Sequence, residues 1–141
     1  RISQINYSLA HSSVETFGDN TLVCMDTKAF RRYKKHDIPV MAFSPQAKGF
    51  FAKLAKGDAA NNLPEGQYAG PANLARLAKV KQLSEQTGDT PAKITLGYLN
   101  SQPFFVSSVF AVTKLWQLAE DMEAQDLTYD PKTVAFLENM I

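Results

Sequence analysis

Residues 38–51 read IPVMAFSPQAKGFF, and they indicate the fold class. The first six are apolar throughout, which is typical of a short strand covered on both faces of a parallel sheet. Ser44 and Pro45 end this run, and Gln46, Lys48 and Gly49 follow at once. Such a layout suits a strand whose C-terminal end presents backbone N–H groups and positive charge to an anionic ligand. An ordinary strand exit has the same composition, so these residues alone leave both interpretations open.

Two further strands are predicted on either side of this stretch. Residues 2–8 interleave apolar and polar side chains, and residues 104–110, FFVSSVF, form a second apolar run. Helical patterns fill the intervals between the strands and continue after the last one: residues 21–37, 71–88, 90–100, 113–127 and 130–141. Alternation of this kind predicts parallel strands joined by right-handed crossovers, in an α/β layer or barrel.

The helical patterns also predict which side chains face a core. The predicted stripes are Leu22, Met25, Ala29 and Tyr33; Leu74, Leu77, Val80 and Leu83; Ile94, Leu96, Tyr98 and Leu99; Leu115, Leu118 and Met122; and Val134, Leu137 and Ile141. Residues 57–70, rich in Gly, Asn and Ala, are predicted to form a long loop. No repeat or linker divides the chain, so residues 1–141 are expected to form one unit.

Composition excludes several classes of function. The 141 residues are 45% hydrophobic, and 15 basic against 14 acidic side chains give a formal charge of +1, so no general field attracts nucleic acid or an anionic membrane. Cys24 has no partner for an internal disulfide, and with His11 and His36 it makes no metal-ligand spacing. No apolar run approaches the length of a membrane span. These features favour a soluble protein in the cytoplasm.

The first residues favour a chain that starts inside a fold. The sequence begins at Arg1 rather than at methionine, and its opening residues already alternate like a strand. Simple trimming of the chain is the alternative.

Three stretches, taken in order, resemble a known family. QINYSLAH at residues 4–11, the IPVMAFSPQAKGFF stretch and VFAVTKLWQLAED at residues 109–121 are similar to the last three strand–helix units of an aldo-keto reductase barrel, and the tail at residues 127–140 extends the resemblance. It covers essentially the whole chain. The fold implied is α/β: a partial (β/α)8 TIM barrel of three parallel strands with helices.

The resemblance implies a binding site for a nicotinamide cofactor, NADP or NAD. Gln4 would hydrogen-bond the nicotinamide carboxamide, and the ring would stack on Phe43. The positions matching those that contact the pyrophosphate are Ser44, Gln46, Lys48 and Gly49, and those toward adenosine are Thr113, Lys114, Gln117, Glu120 and Asp121. Without the resemblance, the simpler interpretation is favoured for each residue: Phe43 as core, Lys48 as a solvated loop charge, and Glu120 and Asp121 as a polar helix face.

The chain departs from the family pattern after its last strand. Where the family has Pro-Gly-x-Arg, this chain has Ser108, Ala111 and Thr113, followed by Lys114. A glycine that permits positive φ and an arginine suited to bidentate phosphate contact are therefore missing. Asp121 also replaces a neutral asparagine. Both changes bear on affinity for the 2′-phosphate of NADP.

The resemblance assigns no catalytic residue. The family reduces carbonyl groups by hydride transfer with a tyrosine, lysine, aspartate and histidine that come from earlier strands, and neither His11 nor His36 matches that histidine. Signature motifs of other enzyme classes are absent from the sequence. The first hypothesis is the cofactor-binding C-terminal part of an oxidoreductase, inactive without the missing strands. The alternative is a noncatalytic partial barrel that binds nucleotide or associates with itself or another segment.

Overall fold

The computed structural model describes residues 1–58 and 68–138, and of Thr16 only the backbone. The elements, in chain order, are β1 (Ser3–Asn6), α1 (Val14–Phe17), α2 (Thr27–His36), β2 (Val40–Phe43), a 3-10 turn (Ala47–Gly49), α3 (Phe50–Ala55), α4 (Pro71–Thr87), α5 (Pro91–Asn100), β3 (Val106–Val109), α6 (Leu115–Glu123) and α7 (Pro131–Leu137).

The three strands form one parallel sheet in the order β1-β2-β3. Asn6 lies beside Phe43, and Phe43 lies beside Val109, so all three strands end at the same level. The prediction of three parallel strands with helical crossovers is confirmed. Each strand is shorter than its predicted span, because loops and turns take residues at both ends of β1 and β3 and at the start of β2.

The two faces of the sheet differ in their cover. Ile5, Val40 and Ala42 lie on one face, and the helices bury all three. The opposite face carries Gln4, which is exposed, and Met41, which is half-buried. Among the described residues, Asn6 is the one strand residue buried on this face, where Ser12 and the bridge to Cys24 contact it, so the second face is less completely covered than the first.

Helix α2 begins later than predicted, and this corrects the expected helix over residues 21–37. Cys24 makes a parallel bridge to Asn6, with the Asn6 amide donating to the Val23 carbonyl and the Met25 amide donating to the Asn6 carbonyl. Asp26 then caps the helix by accepting from the Ala29 amide. The first residues of the predicted helix are extended because they pair with β1.

One predicted apolar stripe is largely confirmed and another is wrong in its orientation. On α4 the predicted Val80 and Leu83 are buried and Leu77 packs against the core, whereas Leu74 is exposed and the polar Asn73 and Arg76 are also buried. On α6 the predicted stripe is turned outward: Leu115 is 86% exposed, and Leu118 and Met122 are also exposed. Asp121, expected on the polar face, is the buried residue of α6.

The remaining helices agree with the prediction more closely. Thr90 caps α5, whose predicted core residues Ile94, Leu96, Tyr98 and Leu99 are all buried. Asp130 caps α7, in which Leu137 is buried and Val134 is half-buried, while Ile141 lies outside the described residues. The predicted loop over 57–70 lies partly outside them, since residues 59–67 are not described.

In the described parts of the chain, no helix is long and apolar enough to cross a membrane. Within the same ranges, His, Cys, Asp and Glu side chains form no group of three that could hold a metal ion.

Candidate functional site

A groove of about 580 Å³ opens at the C-terminal ends of β2 and β3. Its walls are the loop and 3-10 turn after β2, helix α3, the start of α5, residues 109–113 after β3, and one side of α6. Parallel α/β folds place their ligands in this position, because the loops and helix N-termini at this edge present backbone N–H groups.

The loop that follows β2 has an unusual backbone. Ser44, Ala47 and Lys48 have positive φ angles of 51°, 48° and 56° although none is glycine, and Gly49 follows with a φ of 79°. The Ala47 amide donates to the Ser44 carbonyl and the Gly49 amide donates to the Gln46 carbonyl, which holds the loop in tight turns. Residues other than glycine rarely adopt this backbone conformation, and such strain is concentrated where the backbone contacts a ligand.

Positive charge gathers on one wall of the groove. Lys48 lines it from the loop, and Lys53 and Lys56 line it from α3 and the residue just after that helix. Phe50, Phe51 and Leu54 of α3 are buried, so the helix presents its lysines to the other side. The Lys56 ammonium lies 5.3 Å from the centre of the Trp116 ring, which joins this wall to α6.

The opposite wall, on α6, is acidic and hydrogen-bonded. The Gln46 side-chain amide donates to Asp121 Oδ1 at 2.7 Å, which ties the loop after β2 to α6. Asp121 is 4% exposed, and burial together with the nearby Glu120 charge raises its pKa, while the hydrogen bond from Gln46 lowers it. This carboxylate is therefore held in a poorly solvated place by one specific partner.

The N-terminus of α6 is closed by Gln117. Its side-chain oxygen accepts from the Thr113 amide, the Thr113 hydroxyl and the Lys114 amide at 3.0 to 3.1 Å. Gln117 thus orders the turn after β3 in the same way as a capping residue. The structure gives it a local structural role in addition to its place in the groove.

The groove gathers eight of the eleven residues predicted from the sequence: Ser44, Gln46, Lys48, Gly49, Thr113, Gln117, Glu120 and Asp121. Gln4, Phe43 and Lys114 do not line it. Gln4 and Phe43 lie on the uncovered face of the sheet, and Lys114 is exposed at the start of α6.

Sequence reasoning missed Lys53, Lys56 and Trp116. No helix was predicted over residues 50–55, although the pattern of Phe50, Phe51 and Leu54 is compatible with one. A helix there places Lys53 and Lys56, three residues apart, on one side. That spacing was the available signal for the lysines. No role is predicted for Trp116 from the sequence.

The family model described as the aldo/keto reductase family matches residues 4–141. This chain belongs to the aldo-keto reductase family. Solved aldo-keto reductases share its fold. A thermostable enzyme solved with the inhibitor epalrestat is 14% identical, with a TM-score of 0.60, covering 98% of this chain and 39% of that one.

Two structures from Klebsiella pneumoniae are similar in the same way. The complex with NADP and acetate is 16% identical, with a TM-score of 0.59, covering 99% of this chain and 39% of the other. The complex with NADPH is 16% identical, with a TM-score of 0.60, covering 99% and 38%. This aldo-keto reductase chain therefore spans about two fifths of the length of the solved structures it matches.

Proposed function

We propose that this chain is the C-terminal, cofactor-binding part of an aldo-keto reductase that uses NADP(H) to reduce aldehydes or ketones. The observation that carries the proposal is the groove, in which the loop after β2 and helix α6 meet at the C-terminal ends of the strands. The complexes of the Klebsiella pneumoniae proteins with NADP and NADPH favour this cofactor. In this proposal residues 1–141 act as one unit.

The groove residues fit a dinucleotide. Ser44, Gln46, Lys48 and Gly49 of the strained loop line the groove, and Lys53 and Lys56 add cations to the same wall as Lys48. Backbone N–H groups and lysines together suit a pyrophosphate. The bound cofactor would supply the hydride, and the residues of this chain would bind and orient the cofactor. Gln4 and Phe43, on the uncovered face of the sheet, would lie toward its nicotinamide end.

No residue of this chain is proposed to transfer the catalytic proton. Tyr7 lies at the end of β1, but it is 4% exposed and packs against Tyr98 and Phe104. Burial raises the pKa of its phenol far above the ordinary value. A buried phenol of high pKa is a poor proton donor to a substrate. The catalytic tyrosine, lysine, aspartate and histidine of the family are proposed to come from barrel strands that this chain lacks.

The test is a titration of the purified chain with NADPH, followed by tryptophan fluorescence. Trp116, the only tryptophan, lines the groove, so a bound cofactor should quench it. We expect Lys48→Ala to weaken binding about tenfold, since one charge-assisted contact contributes about 1.5 kcal/mol. Lys28→Ala removes an exposed lysine of α2 outside the groove and is the matched control.

The titration distinguishes binding at the proposed site from binding elsewhere and from no binding. Saturable quenching that Lys48→Ala weakens and Lys28→Ala leaves unchanged supports the proposed cofactor site. Binding that neither substitution changes places the cofactor elsewhere, and a folded chain that does not bind NADPH contradicts the proposal. NADH in the same titration tests whether the loss of the family arginine has removed the preference for the 2′-phosphate.

The alternative function is a noncatalytic partial barrel. It is favoured by the uncovered sheet face and by the exposed apolar side of α6, which together leave the described residues with unsatisfied surfaces. Open strand edges pair readily with other strands. We propose that these surfaces pair with an N-terminal barrel segment or, without one, with a second copy of the chain.

Light scattering tests the pairing. The proposal predicts a mass above 15.6 kDa for the isolated chain, because the three strands of the described residues cannot close a barrel. A folded monomer at micromolar concentration would contradict it. Restored carbonyl reduction after adding an N-terminal segment that carries the catalytic residues would favour the enzyme over the noncatalytic partial barrel.

A further inference from the structure

A second cavity, of about 540 Å³, lies at the C-terminal end of β1. Its walls come from the end of β1 and the loop after it, from α2, and from single residues of α4, α5 and the end of α7. It shares no lining residue with the cofactor groove among the described residues. Its volume is within the range of small-molecule sites.

One part of the cavity wall is apolar and aromatic. Tyr7 and Tyr98 are each 4% exposed, and their rings meet edge to face with centroids 6.3 Å apart. Phe30 of α2 and Met25 complete this wall, and both are half-buried. Buried aromatic rings of this kind offer a flat, rigid contact for the apolar body of a ligand.

The rest of the cavity carries positive charge. Arg31 and Lys34, one turn apart on α2, line it and are exposed. Arg76 lines it from α4 and is 7% exposed; its two terminal nitrogens donate to Asn73 Oδ1 at 3.1 Å and to the Glu138 carbonyl at 3.4 Å. The buried Nε–H of Arg76 has no hydrogen-bond partner within the described parts of the chain. A buried guanidinium with an unused donor is costly unless an anion completes it.

The acidic and titratable groups of the cavity do not cancel this charge. Asp26 Oδ1 accepts from the Ala29 amide at 2.6 Å, and Glu138 Oε1 accepts from the Tyr98 hydroxyl at 2.6 Å. Each carboxylate therefore has an internal donor. Burial, together with the Arg76 charge, lowers the pKa of His11, which favours its neutral imidazole. The three cations exceed the two carboxylates.

We propose that this cavity binds a small organic anion, a carboxylate carried on an apolar or aromatic body. The carboxylate meets Arg76 and the two cations of α2, and the body lies against Tyr7, Phe30 and Tyr98. Arginine is suited to this recognition because its planar donors match the geometry of a carboxylate. The site is separate from the cofactor groove, and its occupancy does not depend on NADP(H).

Fluorine NMR of the purified chain with 4-(trifluoromethyl)phenylacetate tests the proposal. The neutral amide of the same acid is the matched probe without charge. The variant Arg31→Glu with Lys34→Glu reverses both exposed cations of the cavity. Arg32→Glu with Lys35→Glu makes the same change of net charge on the same helix at exposed positions that do not line the cavity.

We expect the fluorine signal of the acid to broaden and shift when the acid binds. The amide should bind at least about tenfold more weakly, and the cavity variant should lose about tenfold in affinity for the acid. The control variant and saturating NADPH should change neither value. Equal loss in both variants would show nonspecific attraction to a basic helix and overturn the proposal, as would equal binding of acid and amide. No binding of the acid to folded chain overturns it as well, whether or not NADPH binds.

Discussion

The two faces of the sheet differ in how well the described residues bury them. Ile5, Val40 and Ala42 on the covered face are at most 2% exposed, whereas Val109 on the other face is 42% exposed and Gln4 is also exposed. In a (β/α)8 barrel the helices cover the outside, and side chains from all eight strands fill the inside. In the described residues the outer face of the sheet is therefore packed against helices, whereas much of the inner face is open to solvent.

The largest expected effect compares single side chains on these two faces. Ile5→Ala removes a fully covered side chain and should lower the free energy of unfolding by about 2–5 kcal/mol. Met41→Ala, on the next strand but on the open face, should cost less than about 1 kcal/mol because water already reaches it. Urea denaturation of both variants measures the difference. Equal losses would mean that something covers the open face.

The second effect concerns close packing in the covered layer. A Cβ on Gly97 of α5 would lie 2.8 Å from a Tyr129 ring carbon and 2.9 Å from Leu127 Cγ. Gly97→Ala should therefore cost about 1–3 kcal/mol by overpacking. Gly70→Ala is the control, since nothing lies within 4 Å of its Cβ position, and it should cost a few tenths of a kcal/mol. A neutral Gly97→Ala in thermal denaturation would contradict this packing.

A smaller effect, with the opposite sign, concerns Asp121 in the groove. Its raised pKa means that folding favours the neutral carboxyl, so the stability this group contributes is present below the unfolded pKa and is lost as pH rises through the folded pKa. Asp121→Asn keeps an oxygen for the Gln46 amide and should raise Tm at pH 7 by roughly 1–3 °C.

The pH dependence distinguishes this cause from others. The difference between Asp121→Asn and the parent chain should shrink as the pH falls and the parent carboxyl takes up its proton. Asp126→Asn, at an exposed position just after α6, should leave Tm unchanged at both pH values. A parent chain more stable than Asp121→Asn at pH 7 would refute the assignment. By removing charge, the same variant should also bind NADPH more tightly.

The smallest effect lies where α2 leads into β2. Asp37 ends the helix in the left-handed conformation, with φ 47° and ψ 48°. Asp37→Gly should stabilise the chain by about 0.5 kcal/mol, because glycine adopts this conformation without steric cost. Lys35→Gly, inside the same helix, should destabilise by about 1 kcal/mol. Urea denaturation that gives both changes the same sign would rule out this cap.

Local signals predicted most of the fold. The caps Thr90-Pro91 and Asp130-Pro131 marked α5 and α7 correctly, and the apolar run before Ser44 marked β2. The predicted start of α2 was wrong because the bridge from Cys24 to Asn6 is a tertiary interaction, which the spacing of apolar residues does not reveal. Helical spacing predicts that the apolar side of α6 faces a core, yet Leu115, Leu118 and Met122 are exposed.

The candidate site was less predictable than the fold. The resemblance located the loop after β2 and the polar positions of α6, and the structure brings most of them together. It could not reveal the hydrogen bond from Gln46 to Asp121, which joins residues 75 positions apart. The basic cavity was also invisible in sequence, because Arg31, Arg76 and Glu138 converge only through the packing of α2, α4 and the end of α7.

The most direct test of the proposed cofactor site is hydrogen exchange of the chain with and without NADPH. Binding of NADPH in the groove should slow exchange at residues 44–49, in the loop after β2, and at residues 111–117, which span the turn after β3 and the first turn of α6. Exchange in α2 and at the C-terminal end of α4 should not change. Protection confined to these two segments would place the cofactor at the C-terminal ends of the strands. Protection of α2 alone, or of no segment at saturating NADPH, would contradict the account.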